Sequence, residues 1–101
     1  MTRLPEHEDF LKQLNSMFTI RISETENLES ELVEVSELKR SARQEQFSTV
    51  FRTSNDLFLG QGMQTLEHPV LGQLELFLVP VNQDAAGTYY EAYFNRLPNE
   101  N

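Results

Sequence analysis

A chain of 101 residues and 11.7 kDa has room for one domain and excludes a catalytic domain joined to a separate cofactor domain. Hydrophobic residues at 39% and charged residues at 24% describe a chain that folds around one modest core rather than one that stays disordered. Sixteen acidic against eight basic residues, a net charge of −8 and no cysteine disfavour nucleic acid and anionic lipid as partners and exclude disulfides, thiolate nucleophiles and thiolate metal sites.

Leu4-Pro5-Glu6-His7-Glu8-Asp9 leads into Phe10, Leu11, Leu14 and Phe18, an apolar stripe at helical spacing. Proline suits a first helical turn and early carboxylates complement the helix dipole, so the spacing predicts a helix over about 5–16. The period then becomes two: Phe18, Ile20 and Ile22 alternate with Thr19 and Arg21, as in a half-buried strand. Residues 28–39 fit two templates. Leu28, Leu32, Val35 and Leu38 have helical spacing, whereas Val33 and Val35 alternate with Glu34 and Ser36. The paired valines favour a strand with a bulge near Leu32 and Val33, with a helix as the alternative.

Lys39–Gln46 is polar and reads as a loop; Phe47, Thr49 and Phe51 begin another strand. The stretch 53–62 is turn-rich and glycine-bounded, yet contains Leu57, Phe58 and Leu59, which must enter a core or meet a partner. A short strand at 63–67 ends at His68-Pro69, because proline cannot continue a central ladder.

The runs 73–82 and 88–97 form a hairpin around Gln83–Gly87. With Asn82 opposite Thr88, Pro80 faces Tyr90, Leu78 faces Ala92 and Leu76 faces Phe94 on one apolar side. Phe77/Tyr93, Val79/Glu91 and Val81/Tyr89 pair on the other. Large side chains on both sides suit a closed or sandwiched sheet. One helix and about six strands joined by short loops make a mostly β fold, a small antiparallel barrel or sandwich.

Catalytic patterns are missing. The sequence His7-Glu8 has Leu11 where a zinc-binding helix needs its second histidine, and Gly60-Gln61-Gly62 lacks the rest of a phosphate-binding loop. Glu24, Glu26, Glu29, Glu31, Glu34 and Glu37 read as a solvated acidic face without a calcium-loop pattern, so neither metal nor cofactor is expected. Glu91, set among Tyr89, Tyr90, Tyr93 and Phe94, requires a partner if buried; Arg96, Arg52 or Arg21 is expected to supply a structural ion pair or hydrogen bond. The longest apolar runs, such as Leu76–Val79, are far shorter than the ~20 residues of a membrane span. Met1–Glu8 has no signal-peptide hydrophobic region, and the chain as written reads as cytoplasmic.

The strings Phe47-Ser48-Thr49-Val50-Phe51-Arg52, Leu66-Glu67-His68-Pro69-Val70-Leu71-Gly72, Phe77-Leu78-Val79-Pro80-Val81 and Tyr90-Glu91-Ala92-Tyr93-Phe94-Asn95-Arg96 resemble a small bacterial domain family of unknown function. The closing Tyr-Glu-Ala-x-Phe-Asn-Arg string is the most specific part. The resemblance implies a compact β-rich domain often encoded near phage tail-collar or tail-fibre components, with Leu66, Gly72, Pro80, Glu91, Asn95 and Arg96 as shared framework. It also implies an extended conformation at 28–39. The expected function is a non-enzymatic structural or interaction module, an accessory of a tail-like or fibre protein. Leu57, Phe58 and Leu59 are the expected contact residues, and the acidic face 24–37 is a second candidate. The alternatives are a barrel lined by Tyr89, Tyr90 and Tyr93 that encloses a small apolar ligand and, less favoured, an enzyme using Glu91 or His68 as base.

Overall fold

The computed structural model describes residues 4–97. Its elements are α1 (His7–Lys12), β1 (Met17–Arg21), β2 (Asn27–Val35), β3 (Lys39–Arg40), β4 (Glu45–Thr53), β5 (Gly62–His68), β6 (Gly72–Asp84) and β7 (Gly87–Arg96). The strands pair in the order β2-β1-β5-β6-β7-β4-β3, and a further β2–β4 pairing joins the sheet to itself. Six strands therefore form a closed antiparallel barrel, with β3 as one extra strand on β4. Closure leaves the main strands no long free edge. No helix among the described residues is long and apolar enough to cross a membrane.

Alternation of side chains builds the core. On β4, Phe47, Thr49 and Phe51 are buried while Ser48, Val50 and Arg52 face outward. This strand runs against β7 without a break from Glu45↔Arg96 to Thr53↔Thr88. Phe18, Ile20, Leu32, Leu66, Leu74, Leu76, Leu78, Tyr90, Ala92 and Phe94 fill the interior from the other strands. The ambiguous segment 28–39 is strand, and its register shifts between Leu32 and Glu34. That bulge has a purpose: strict alternation from buried Ser30 and Leu32 would turn Glu34 inward, whereas the extra residue returns its carboxylate to solvent.

The helix is shorter than its apolar stripe suggests. It covers His7–Lys12 instead of 5–16, and Glu6 is its N-cap, whose N–H donates to the Asp9 carboxylate at 2.8 Å. Of the stripe, only Phe10 plugs the barrel from α1; Leu11 and Leu14 are exposed. The chain leaves the helix because Asn15 adopts φ 72° and its N–H bonds Leu32 O at 2.7 Å, while Ser16 O accepts from Leu32 N–H at 3.0 Å. Pairing with β2 thus removes residues that local spacing assigns to the helix. Similarly, the expected loop 39–46 contains β3, which folds back onto Glu45 and Gln46.

The C-terminal hairpin forms with a tighter turn, Asp84 pairing with Gly87. Val79↔Glu91 and Pro80↔Tyr90 pair as expected, but the register then shifts at Val81, so Asn82 meets Tyr89 and Gln83 meets Thr88. Toward its start β6 changes neighbours: Leu76, Phe77 and Leu78 pair with Gln64, Met63 and Gly62 of β5, not with Phe94, Tyr93 and Ala92. A 13-residue strand in a small barrel curves away from one neighbour as it joins the other, and the shear of closure follows. Leu76 and Phe94 nevertheless both remain buried.

Two substitutions test this packing. Thr49 is fully buried, and its Oγ1 has no hydrogen-bond partner. Thr49→Val, which keeps the shape and removes the unpaired hydroxyl, should raise unfolding free energy by about 1 kcal/mol in urea titration; an unchanged or lower midpoint would contradict this account. At Gly87 an added Cβ would overlap the Thr53 carbonyl oxygen and press on Arg52 Cγ. Gly87→Ala should therefore cost at least about 2 kcal/mol, read as a lower thermal midpoint.

Candidate functional site

The loop expected to make contacts crosses one end of the barrel from β4 to β5. Asn55 anchors it: its Oδ1 accepts from Thr88 Oγ1 at 2.8 Å and from Gln83 Nε2 at 3.0 Å, and its Nδ2 donates to Asp84 O at 2.8 Å. Leu59 packs against the core, and its N–H donates to the Tyr90 hydroxyl at 2.8 Å. The oxygen of this fully buried tyrosine thereby accepts a hydrogen bond from the loop backbone. With both ends held, Leu57 and Phe58 are left outside. Phe58 is 61% exposed, its ring 6.4 Å from that of Tyr90. The three residues thus divide into one anchor, Leu59, and two presented side chains.

A second apolar surface lies on the outside of the barrel. Residues that alternate with the core residues of β5, β6 and β7 must point outward, and here they include Met63, Phe77 and Tyr93, exposed by 60%, 48% and 59%. Met63 pairs with Phe77 across β5–β6, and Val79 with Glu91 across β6–β7. The hairpin therefore has large side chains on both faces, as expected, but only one face is covered. The sequence anticipated Val79 opposite Glu91 but set Phe77 opposite Tyr93 rather than Met63, and it missed the exposure of this face, because hydrophobicity alone does not tell which of two apolar faces a closing sheet turns inward.

Glu91 stands on that outer face, half-buried, between Val50 and Val79. The arginines proposed for it are engaged elsewhere. Arg52 Nη2 meets Glu31 at 2.6 Å and Arg21 Nη1 meets Glu67 at 2.8 Å. Arg96 Nη2 donates to Pro5 O at 2.7 Å and lies 3.5 Å from Glu6. Its guanidinium also sits over the rings of Phe47 and Phe94, at 5.4 and 5.7 Å, a cation–π arrangement that ties the end of β7 to the start of α1. Among the described residues Glu91 has no ion pair or hydrogen bond through its carboxylate. A cleft of about 510 Å³ opens beside it, lined also by Glu37, Lys39, Gln46 and Tyr93.

His68 is a buried component of the β5–β6 turn. Its Nδ1 accepts from the N–H groups of Val70 and Leu71 at 3.0 and 3.2 Å, and Nε2 lies 2.9 Å from Ser16 Oγ. Because that hydroxyl donates to Gln13 O at 2.6 Å, Nε2 must carry the hydrogen, which defines one neutral tautomer. The ring also packs on Phe18 at 4.3 Å. Both nitrogens are thereby committed to holding the turn, with Gly72 at φ 80° completing it. His7 has a comparable task, its Nε2 donating to Ser36 O at 2.8 Å and its ring set edge-on to Phe47 at 5.0 Å.

The acidic run is spread along and around β2. Glu31 is paired with Arg52, and Glu29 accepts from Thr19 Oγ1 at 3.0 Å. No group of three or more potential metal ligands converges among the described residues. The tyrosines do not share one cavity: Tyr90 is inside, Tyr93 outside, and Tyr89 is half-buried with its hydroxyl donating to Asp84 at 3.2 Å.

A model of the domain of unknown function DUF6916 matches residues 5–94. The chain belongs to this family. No curated protein and no solved structure matches the chain. Within this DUF6916 chain, Leu66 is core, Gly72 shapes a turn and Arg96 clamps the helix.

Burial pushes the His68 imidazole below its ordinary pKa of 6.5, since the charged form loses hydration and would set a proton against two backbone donors. The unfolded chain therefore takes up this proton first. Stability from neutral His68 is complete above about pH 6.5 and is lost as pH falls through and below that value. His68→Asn, whose side-chain oxygen can still accept from the turn, should show a smaller drop in thermal midpoint between pH 7.5 and 5.5 than the natural chain. Parallel curves for the two proteins would remove His68 as the source.

Proposed function

We propose that this domain is a non-enzymatic protein-interaction module, acting as an accessory or assembly partner of a tail-like or fibre protein of a bacterium or its phage. The observation that carries the reading is the rim loop, which is pinned at Asn55 and Leu59 and projects Leu57 and Phe58 into solvent. Rigidly held, exposed apolar side chains bind with little loss of conformational freedom, whereas they gain nothing for an isolated domain. The resemblance of the Tyr90–Arg96 string to domains encoded near tail-collar components supplies the class of partner. In support of a scaffold rather than an enzyme, His68 is committed to a turn through both nitrogens.

Purification of the tagged chain from its own host, followed by mass spectrometry and size-exclusion chromatography, tests the reading. A tail-like or fibre protein should accompany the chain in stoichiometric amount, and Phe58→Ser should reduce the recovered complex by about tenfold, as for a central apolar contact, without lowering the thermal midpoint. A strictly monomeric chain with no stoichiometric partner would overturn it.

A further inference from the structure

Resting on that reading of the domain as an interaction module, we propose that the outer face of β4–β7 is a second docking surface. Its occupant is a partner segment in which an arginine or lysine is flanked by apolar side chains. Cross-strand register brings Met63 beside Phe77, and Val79 beside Glu91, with Val50 on the far side of that carboxylate. Tyr93 follows Glu91 by two residues on the same strand face. These side chains lie on the outer face of four neighbouring strands, and among the described residues Met63, Phe77 and Tyr93 remain exposed there.

Charge decides what fits there. Glu91 is half-buried beside Val50 and Val79 and has no ion pair or hydrogen bond through its carboxylate among the described residues, so its field is less screened by water than that of an exposed carboxylate. Glu37 and Lys39 line the adjoining cleft, and Glu34 lies across β4, opposite Val50. Three carboxylates therefore face one ammonium. A second copy of this chain, meeting the surface through the same face, would set Glu91 against Glu91 within a protein of net charge −8, which is repulsive. A cationic side chain removes the imbalance. A guanidinium in particular pairs with the Glu91 carboxylate while lying against the ring of Tyr93, as its flanking residues cover Phe77, Val79 and Met63.

Selection of a randomised twelve-residue displayed peptide library against the full chain tests the surface directly. Selected peptides should be enriched in arginine or lysine between apolar residues. They should bind Glu91→Gln about tenfold more weakly, lose binding to Phe77→Ser/Tyr93→Ser, and weaken as salt rises. Because these positions point outward, unchanged thermal midpoints confirm that the variants fold, and a variant that melts early is replaced by Tyr93→Lys, which should repel the same peptides. Four outcomes would overturn the inference. Two are peptides without basic enrichment, or peptides that bind Glu91→Gln equally well. A third is binding lost only in Phe58→Ser, which leaves the interaction reading standing on the rim loop alone. The fourth is a concentration-dependent dimer abolished by Tyr93→Ser, which assigns the face to a second copy.

Discussion

The unbroken ladder between β4 and β7 determines which way every neighbouring side chain faces. Nine consecutive pairs, from Glu45↔Arg96 to Thr53↔Thr88, place Phe47, Phe51, Tyr90 and Phe94 inside and Val50, Glu91 and Tyr93 outside. Since side chains alternate with period two, a slip of one residue would bury Glu91 and expose Phe94. The aromatic contacts reinforce the register: Phe47 stacks on Phe94 at 4.6 Å with rings nearly parallel, and Phe10 from the helix meets Phe94 at 5.3 Å. β4 also pairs with β2, so the same strand closes the barrel and sets its inner surface.

Irregularities are placed where this regular frame would otherwise fail. The bulge in β2 lets a strand with buried Leu32 carry Glu34 in water. Another at Val81 accommodates Pro80, which has no N–H to offer a ladder, at the point where β6 passes from β5 to β7. Asn15 in a left-handed conformation ends the helix so that the following residues join β2. At the two ends of the barrel, side chains replace missing backbone pairing: Arg96 and Phe10 hold the helix, while Asn55 and the Tyr90 hydroxyl hold the loop. The surfaces left over are the projecting tip of that loop and the apolar outside of the hairpin, which is why both bear on function.

Much of this was legible from local pattern. Alternation at Phe18–Ile22, Phe47–Phe51 and in the last third marked strands, and the valines at 33 and 35 with a polar neighbour between them marked a bulged strand over a helix. The rim residues Leu57 and Phe58 stood out as apolar groups in a turn-rich loop. Other features were illegible for a physical reason. Whether Leu14 belongs to a helix depends on Leu32, eighteen positions away and recruited only by pairing of Asn15 and Ser16. The polar partners of Arg96 lie at the opposite terminus, out of reach of a reading that sought a cation for Glu91 across the sheet.

Composition and side-chain periodicity determined by themselves that this chain makes one small antiparallel β domain, because period two and turn chemistry are properties of neighbouring residues. Tertiary structure alone decided which apolar face of the hairpin is core and which is open, where β6 changes neighbours, and that no cation among the described residues pairs with Glu91. Those outcomes depend on closing the sheet upon itself, a condition satisfied by residues far apart along the chain and therefore absent from any local stretch of it.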